Sequence, residues 1–178
     1  MRIKEAAIHE FASRGFYSTK VSDIVSRSKL TQPAFYIYFS SKDAIFDELV
    51  NDFRLKLNEL IGSLRLSSEV KKEDLTLTLT KSIEILFDFF AENENLTRIG
   101  LILAHDAEQY KEKIIELLAV NLKYEQKAGY FRSNLSMDII AVCIYGMIEN
   151  LIISHLLTKK STSKMLANEV VSLIMKGL

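Results

Sequence analysis

The stretch from Thr31 to Lys42 gathers side chains able to recognise duplex DNA. The amide of Gln32 can bond bidentately to N6 and N7 of adenine in the major groove. Pro33 and Ala34 are apolar and small enough to meet thymine methyl groups. The hydroxyls of Tyr36 and Tyr38 and the ammonium of Lys42 suit phosphate oxygens. A helix starting at Gln32 adds backbone N–H donors at its N-terminus. Phe35 and Phe39 lie at i, i+4 and need the inward side of the same short helix, so Tyr36 and Tyr38 cannot also point inward. The alternative is a helical bundle whose aromatics are all core. It suits Phe35 and Phe39, and it accommodates Gln32, Tyr36 and Tyr38 poorly.

The elements that must hold these groups follow from apolar spacing and end signals. Ile3, Ala7, Ile8 and Phe11 recur at helical intervals and predict a first helix over 3–14. Gly15 stands where a left-handed residue ends a helix. Ser18 or Thr19 can cap a second helix over 20–28, with Val21, Ile24 and Val25 inward. Lys29-Leu30-Thr31 is a tight connection. Thr31 caps the third helix, 32–39, with Pro33 harmless in its first turn. Ser40-x-x-Asp43 fits a capping box for a long fourth helix over 42–61. Three short helices in 46 residues, the second and third joined by three residues, make a helix-turn-helix.

The block TQPAFYIYFSSKDAIF, 31–46, resembles the tetracycline-repressor (TetR) family of bacterial regulators. So do Ala6-Ala7, Phe11, Gly15-Phe16 and the run Thr19-x-Val21-x-Asp23-Ile24-Val25. The resemblance implies that Ser22, Gln32, Pro33 and Ala34 face bases. It implies that Lys20, Tyr36, Tyr38 and Lys42 face phosphates, with Thr31 opening the DNA-facing set. Ser28-Lys29 departs from the family's Ala-Gly turn, and the resemblance implies a left-handed Lys29 there at a cost of about 1 kcal/mol relative to Gly. Only Met1-Arg2 precede the first helix, so contacts from an N-terminal arm are not expected.

The body continues with helices expected over 73–92, 95–105 and 108–127, then from a Ser136 cap to 157, and from a Ser163 cap to just before Gly177. LTLTLT at 75–80 alternates as a strand does, yet Leu75, Leu79, Ile83 and Phe87 also keep helical spacing. Residues 62–72 read as a linker. The expected fold is all-α with about nine helices: a helix-turn-helix domain over 1–46, and a ligand-binding and dimerisation domain over 47–178.

The helix 137–157 is apolar nearly all round, so more than one of its faces should be buried. Gly146 in its middle suggests a close helix approach. We expect a two-fold dimer seam through Gly146, Ile153 and Leu156 on this helix, and Leu166, Val170, Leu173 and Ile174 on the last. Such a dimer explains how a small head reads a palindrome. Aromatics with sparse polar groups suggest a bundle interior that takes an apolar ligand. Its expected lining is Phe87, Phe90, Ile102, His105, Tyr124, Tyr145 and Met147.

Composition limits the alternatives. The chain of 178 residues has 23 basic and 23 acidic side chains and is 48% hydrophobic, which excludes a disordered chain. Six Gly and one Pro are too few for an all-β domain rich in tight turns. One Cys excludes an internal disulfide and a Cys-based zinc cluster. Residues 1–46 carry seven basic against four acidic groups, a net +3 that suits a polyanion partner. No apolar run reaches about 18 residues, so no membrane span is expected. The N-terminus reads as neither a signal nor a transit peptide. Phosphate loops, Gly-x-Ser-x-Gly and His-Glu-x-x-His are absent from the sequence, and no metal, cofactor or enzymatic role is expected. The reading is a cytoplasmic, nucleoid-associated transcriptional regulator, a repressor by the family's common habit, released from a palindromic operator by a hydrophobic effector. The alternative is a small-molecule-binding or enzymatic bundle whose head does not read DNA.

Overall fold

A computed structural model describes residues 2–177, and among them every regular element is helical. In chain order these are α1 (Arg2–Ser18), α2 (Val21–Ser28), α3 (Gln32–Tyr38), α4 (Lys42–Ser63), α5 (Leu75–Glu92), α6 (Glu94–Thr97), α7 (Ala107–Lys127), α8 (Met137–Leu151) and α9 (Ser163–Lys176). Two π-helical segments, Arg98–Leu103 and Ile152–Leu156, follow α6 and α8. The all-α architecture with an N-terminal helix-turn-helix is the expected one.

The chain forms two compact units. One comprises the residues up to Lys56 together with Asn93–Tyr110, and the other Leu57–Glu92 together with the residues from Lys111 onward. The helix-turn-helix lies wholly within the first. Its core joins Phe11, Ile24, Phe35, Phe39, Ile45 and Phe46, all buried. Gly15 kinks α1 at φ 76° and ψ 167°, a conformation that essentially only glycine tolerates, and Phe16 then turns inward. In the second unit α9 packs along α5. The alternating threonines of α5 are accommodated by back-bonding. Thr78 Oγ1 donates to Asp74 O at 2.9 Å, and Thr80 Oγ1 to Thr76 O at 2.9 Å.

Several local expectations need correction. Neither Ser18 nor Thr19 caps α2. Lys20 takes that place, and its N–H donates to Asp23 Oδ2 at 2.9 Å. Thr19 is buried instead, its hydroxyl donating to Glu10 O and Gly15 O at 3.2 and 2.8 Å. At α4 the cap is Ser41, whose Oγ accepts from Ala44 N at 3.0 Å, which leaves Asp43 outside any capping box. Thr162, rather than Ser163, caps α9. The single helix expected over 95–105 is the short α6 followed by a π-helical segment.

The view that no segment is long and apolar enough to cross a membrane also needs correction. Met137–Leu156 reaches a mean hydropathy of 1.8 over its window, with 28% of that window buried. A soluble helix covered on two sides has the same composition. Here much of its apolar surface is uncovered within one chain.

Candidate nucleic-acid interface and effector cavity

The recognition surface is built on α3. Thr31 Oγ1 accepts from Ala34 N at 3.3 Å and fixes the start of the helix. Phe35 and Phe39 anchor it, 0% and 5% exposed. Gln32 and Pro33 are exposed and Ala34 half-buried. Tyr36 and Tyr38 stand in solvent, as do Lys20 and Ser22 at the start of α2. Ile37, which the sequence reading passed over, is more exposed than either tyrosine of α3, at 78%. A one-residue step from Tyr36 on a helix already pointing outward was the available signal.

The connection before α3 is shaped by Lys29, at φ 55° and ψ 35°. The Lys29 N–H donates to Ser26 O and the Leu30 N–H to Val25 O, which closes the end of α2. A groove beside this turn is lined by Arg2, His9, Arg27 and Lys29 among others.

Lys42 is placed differently from its expected role. Its Nζ donates to Phe16 O at 2.8 Å and Thr19 O at 2.9 Å, and it lies 4.1 Å from the Phe16 ring centroid. Two of its three N–H groups thus tie the start of α4 to the turn between α1 and α2. Glu10, another residue the sequence reading did not single out, is buried on α1, accepts from Arg27 Nε and forms an ion pair at 3.2 Å with Arg14 one turn further along α1. The Arg27 bond knits α1 to α2, the helix that supports α3.

A third unforeseen cluster lies in the same unit. Arg54 is buried on α4 and pairs with Asp106 at 2.6 Å. Its Nη2 donates to Gly100 O at 3.2 Å, and its guanidinium lies 4.2 Å from the Tyr110 ring centroid. The bond from Arg54 holds the Asp106 carboxyl below the usual carboxylate range, and burial pushes the Tyr110 phenol up to about 12.

The second unit contains a small apolar cavity of about 100 Å³, partly open to solvent. Its wall is aliphatic, with Ile61, Leu79, Ile83, Leu86, Leu118 and Val171 among the lining groups, and it includes Asn121 and Glu125. A second trough shares Leu122, Phe131, Ile144 and Ile174 with it and continues past Tyr130, Arg132 and Cys143. Glu125 is 5% exposed, and burial raises its pKa against the opposing effect of the Leu66 N–H.

None of the seven side chains expected at an effector lines the aliphatic cavity, and only Met147 lines the adjoining trough. Phe87 and Phe90 are packed core. Tyr145 is buried and donates to Glu149 Oε1 at 2.8 Å. Tyr124 is 41% exposed under the Arg65 guanidinium. Ile102 and His105 belong to the first unit, where the His105 ring packs edge-on against Phe16 at 4.9 Å.

The expected seam residues divide similarly. Leu156, Leu166 and Val170 are buried in the core of their own unit, because that side of α9 faces α5. Ile153, Leu173 and Ile174 are exposed. Gly146 also faces open space, with nothing within 4 Å of where a Cβ would stand. Ile139 and Val142 extend this open apolar face along α8 at 65% and 54% exposure.

Comparison with known proteins agrees with the helix-turn-helix geometry. Residues 3–49 match the sequence model of the family described as bacterial regulatory proteins, tetR family. The HTH-type transcriptional regulator YdgC of Bacillus subtilis (strain 168) is 43% identical over 177 residues, covering 99% of this chain and 91% of that protein. The fatty acid metabolism regulator protein of the same organism is 24% identical over 192 residues, covering 100% of this chain and 94% of its own length. The crystal structure of the regulator FadR from Bacillus subtilis in complex with stearoyl-CoA superposes with a TM-score of 0.71 at 22% identity, covering 100% of this chain and 98% of that one. A recognition helix held by buried phenylalanines, presented from a regulator's helical scaffold and matched along the whole chain by an HTH-type relative, makes this chain a member of the tetR family, a DNA-binding, ligand-responsive transcriptional regulator.

Proposed function

We propose that the chain works in the cytoplasm as a homodimeric repressor that leaves a palindromic operator when a long-chain acyl thioester of coenzyme A enters its second unit. The observation that carries this reading is the aliphatic lining of the cavity, about 100 Å³ in itself and continued by the adjoining trough of about 490 Å³, a lining suited to an alkyl chain. The adjoining trough, with Arg132 on its wall, suits the anionic end of such a ligand. The names of two relatives, a fatty acid metabolism regulator and a regulator in complex with stearoyl-CoA, support the same class. The open face of α8, from Ile139 through Gly146 to Ile153, supports a seam with a second copy.

At the DNA, Gln32, Pro33, Ala34 and Ser22 are assigned to base edges, and Lys20, Tyr36 and Tyr38 to phosphates. Ile37 is added as an apolar contact beside them. The test is a gel shift with a duplex selected by the protein from random-sequence DNA. Palmitoyl-CoA should release that duplex, and free coenzyme A should not. Retention of DNA in the presence of every acyl-CoA from C8 to C20 sinks the effector assignment.

A further inference from the structure

The end of α4 and the chain leaving it are held by three polar side chains from α7 and the turn after it. Asn121 Nδ2 donates to Ile61 O at 2.9 Å, in the last turns of α4. The Leu66 N–H donates to Glu125 Oε1 at 2.9 Å. The Tyr130 hydroxyl lies 2.8 Å from Ser67 O and 2.7 Å from Val70 O. The stretch that reads as a linker is therefore fastened at both ends.

Asn121, Glu125 and Ile61 also line the aliphatic cavity. Whatever fills that space touches the same groups that hold α4. From this coincidence we infer that Asn121 and Glu125 are the positioning residues through which an occupant of the cavity is sensed, the occupant meeting them with an uncharged aliphatic segment. The inference rests on the cavity being the effector site.

Both bonds are of ordinary length, 2.9 Å, and both cross from α7 to the same stretch of chain. A separation of about 0.7 Å would carry each to 3.6 Å, where a hydrogen bond is no longer made. An alkyl chain wedged between α7 and the end of α4 supplies such a separation and offers no replacement partner. A carboxylate or phosphate placed beside Glu125 would sit in a poorly solvated space, with no basic side chain among the groups that line the cavity to meet it. The anionic end of a ligand therefore lies away from Glu125. Since α4 is one uninterrupted helix from Lys42 to Ser63, loosening its end alters the restraint on a helix that starts in the helix-turn-helix unit.

The test uses the full-length protein and the selected duplex. The double variant Asn121→Ala/Glu125→Ala should bind that duplex at least fivefold more weakly than wild type with no lipid present. It should still bind palmitoyl-CoA, which should then change its DNA affinity by less than twofold. Amide exchange at Leu66 should be faster than in wild type. Glu125→Gln, whose amide oxygen still accepts from the Leu66 N–H, should keep wild-type DNA affinity, a rescue that general damage to the fold would not give. If the double variant does not fold, Asn121→Ala alone should show a smaller loss of DNA affinity and a blunted response. Wild-type DNA affinity in the lipid-free alanine variants overturns the inference. Failure of palmitoyl-CoA to bind wild type overturns the acyl reading instead, and the lipid-free comparison still decides this one.

Discussion

Replacing Lys42 with Met separates two roles that a lysine beside DNA can have. Its Nζ reaches Phe16 O and Thr19 O at 2.8 and 2.9 Å, from a half-buried position over the Phe16 ring. Hydrogen bonds to a charged group are worth about 1.5–3 kcal/mol when buried. Partial exposure brings the pair down to roughly 2–3 kcal/mol together, and the stacking on Phe16 adds about 0.5–1 kcal/mol. Met keeps most of the stem and loses all of the donors. We expect Lys42→Met to destabilise the protein by about 2–4 kcal/mol in urea unfolding. DNA affinity should fall along with that stability, because the turn that positions α2 loosens. The slope of log affinity against log salt should change by less than about half a unit, whereas loss of one phosphate contact changes it by about 0.9. A variant of undiminished stability whose salt slope drops by about 0.9 would refute the reasoning and return Lys42 to the phosphates.

Three further outcomes are expected. Gln32→Ala should cost about 1–3 kcal/mol on the selected duplex and little on random DNA, and equal losses on both would remove Gln32 as a base reader. Gly100→Ala should destabilise by about 1–3 kcal/mol, since an added Cβ would run into the buried Phe53 ring, with Cε1 2.8 Å away. Adding Phe53→Leu to Gly100→Ala should lower that cost relative to the sum of the two single changes, as a double-mutant cycle in urea would register. Gly146→Leu meets open space within its own chain, so the protomer should fold normally while sedimentation shows monomers. An intact dimer would move the seam off this part of α8.

The helix-turn-helix was legible because its signals are local. Thr31 caps α3 from three residues away, Phe35 and Phe39 declare their inward face by spacing, and Lys29 takes the left-handed conformation that the resemblance of the turn implies. What stayed illegible depends on neighbours distant in sequence. Nothing near Lys42 says that carbonyls 23 and 26 residues earlier await it, and Glu10 meets Arg27 across 17 residues. The pattern Ser40-x-x-Asp43 pointed to Ser40 as the cap of α4, and only the path of the backbone selects Ser41. The aliphatic cavity went unseen for a related reason. Periodicity tells which side of α5 or α7 is inward, but not which inward residues border empty space. Aromatics such as Phe87 fill volume and so close space, while Leu79, Ile83 and Leu118 leave it. Ile102 and His105 were assigned to the body by their position in the chain, but the chain returns to the first unit after α5.

The uncovered apolar side of α8 has a consequence for dosage. With a second copy closing that face, a duplex is occupied by pairs only, and below the dissociation constant of the pair its occupancy rises with the square of the number of chains in the cell. Halving synthesis then empties the duplex about fourfold in that regime, and a small change in expression acts as a signal of its own, with no small molecule involved.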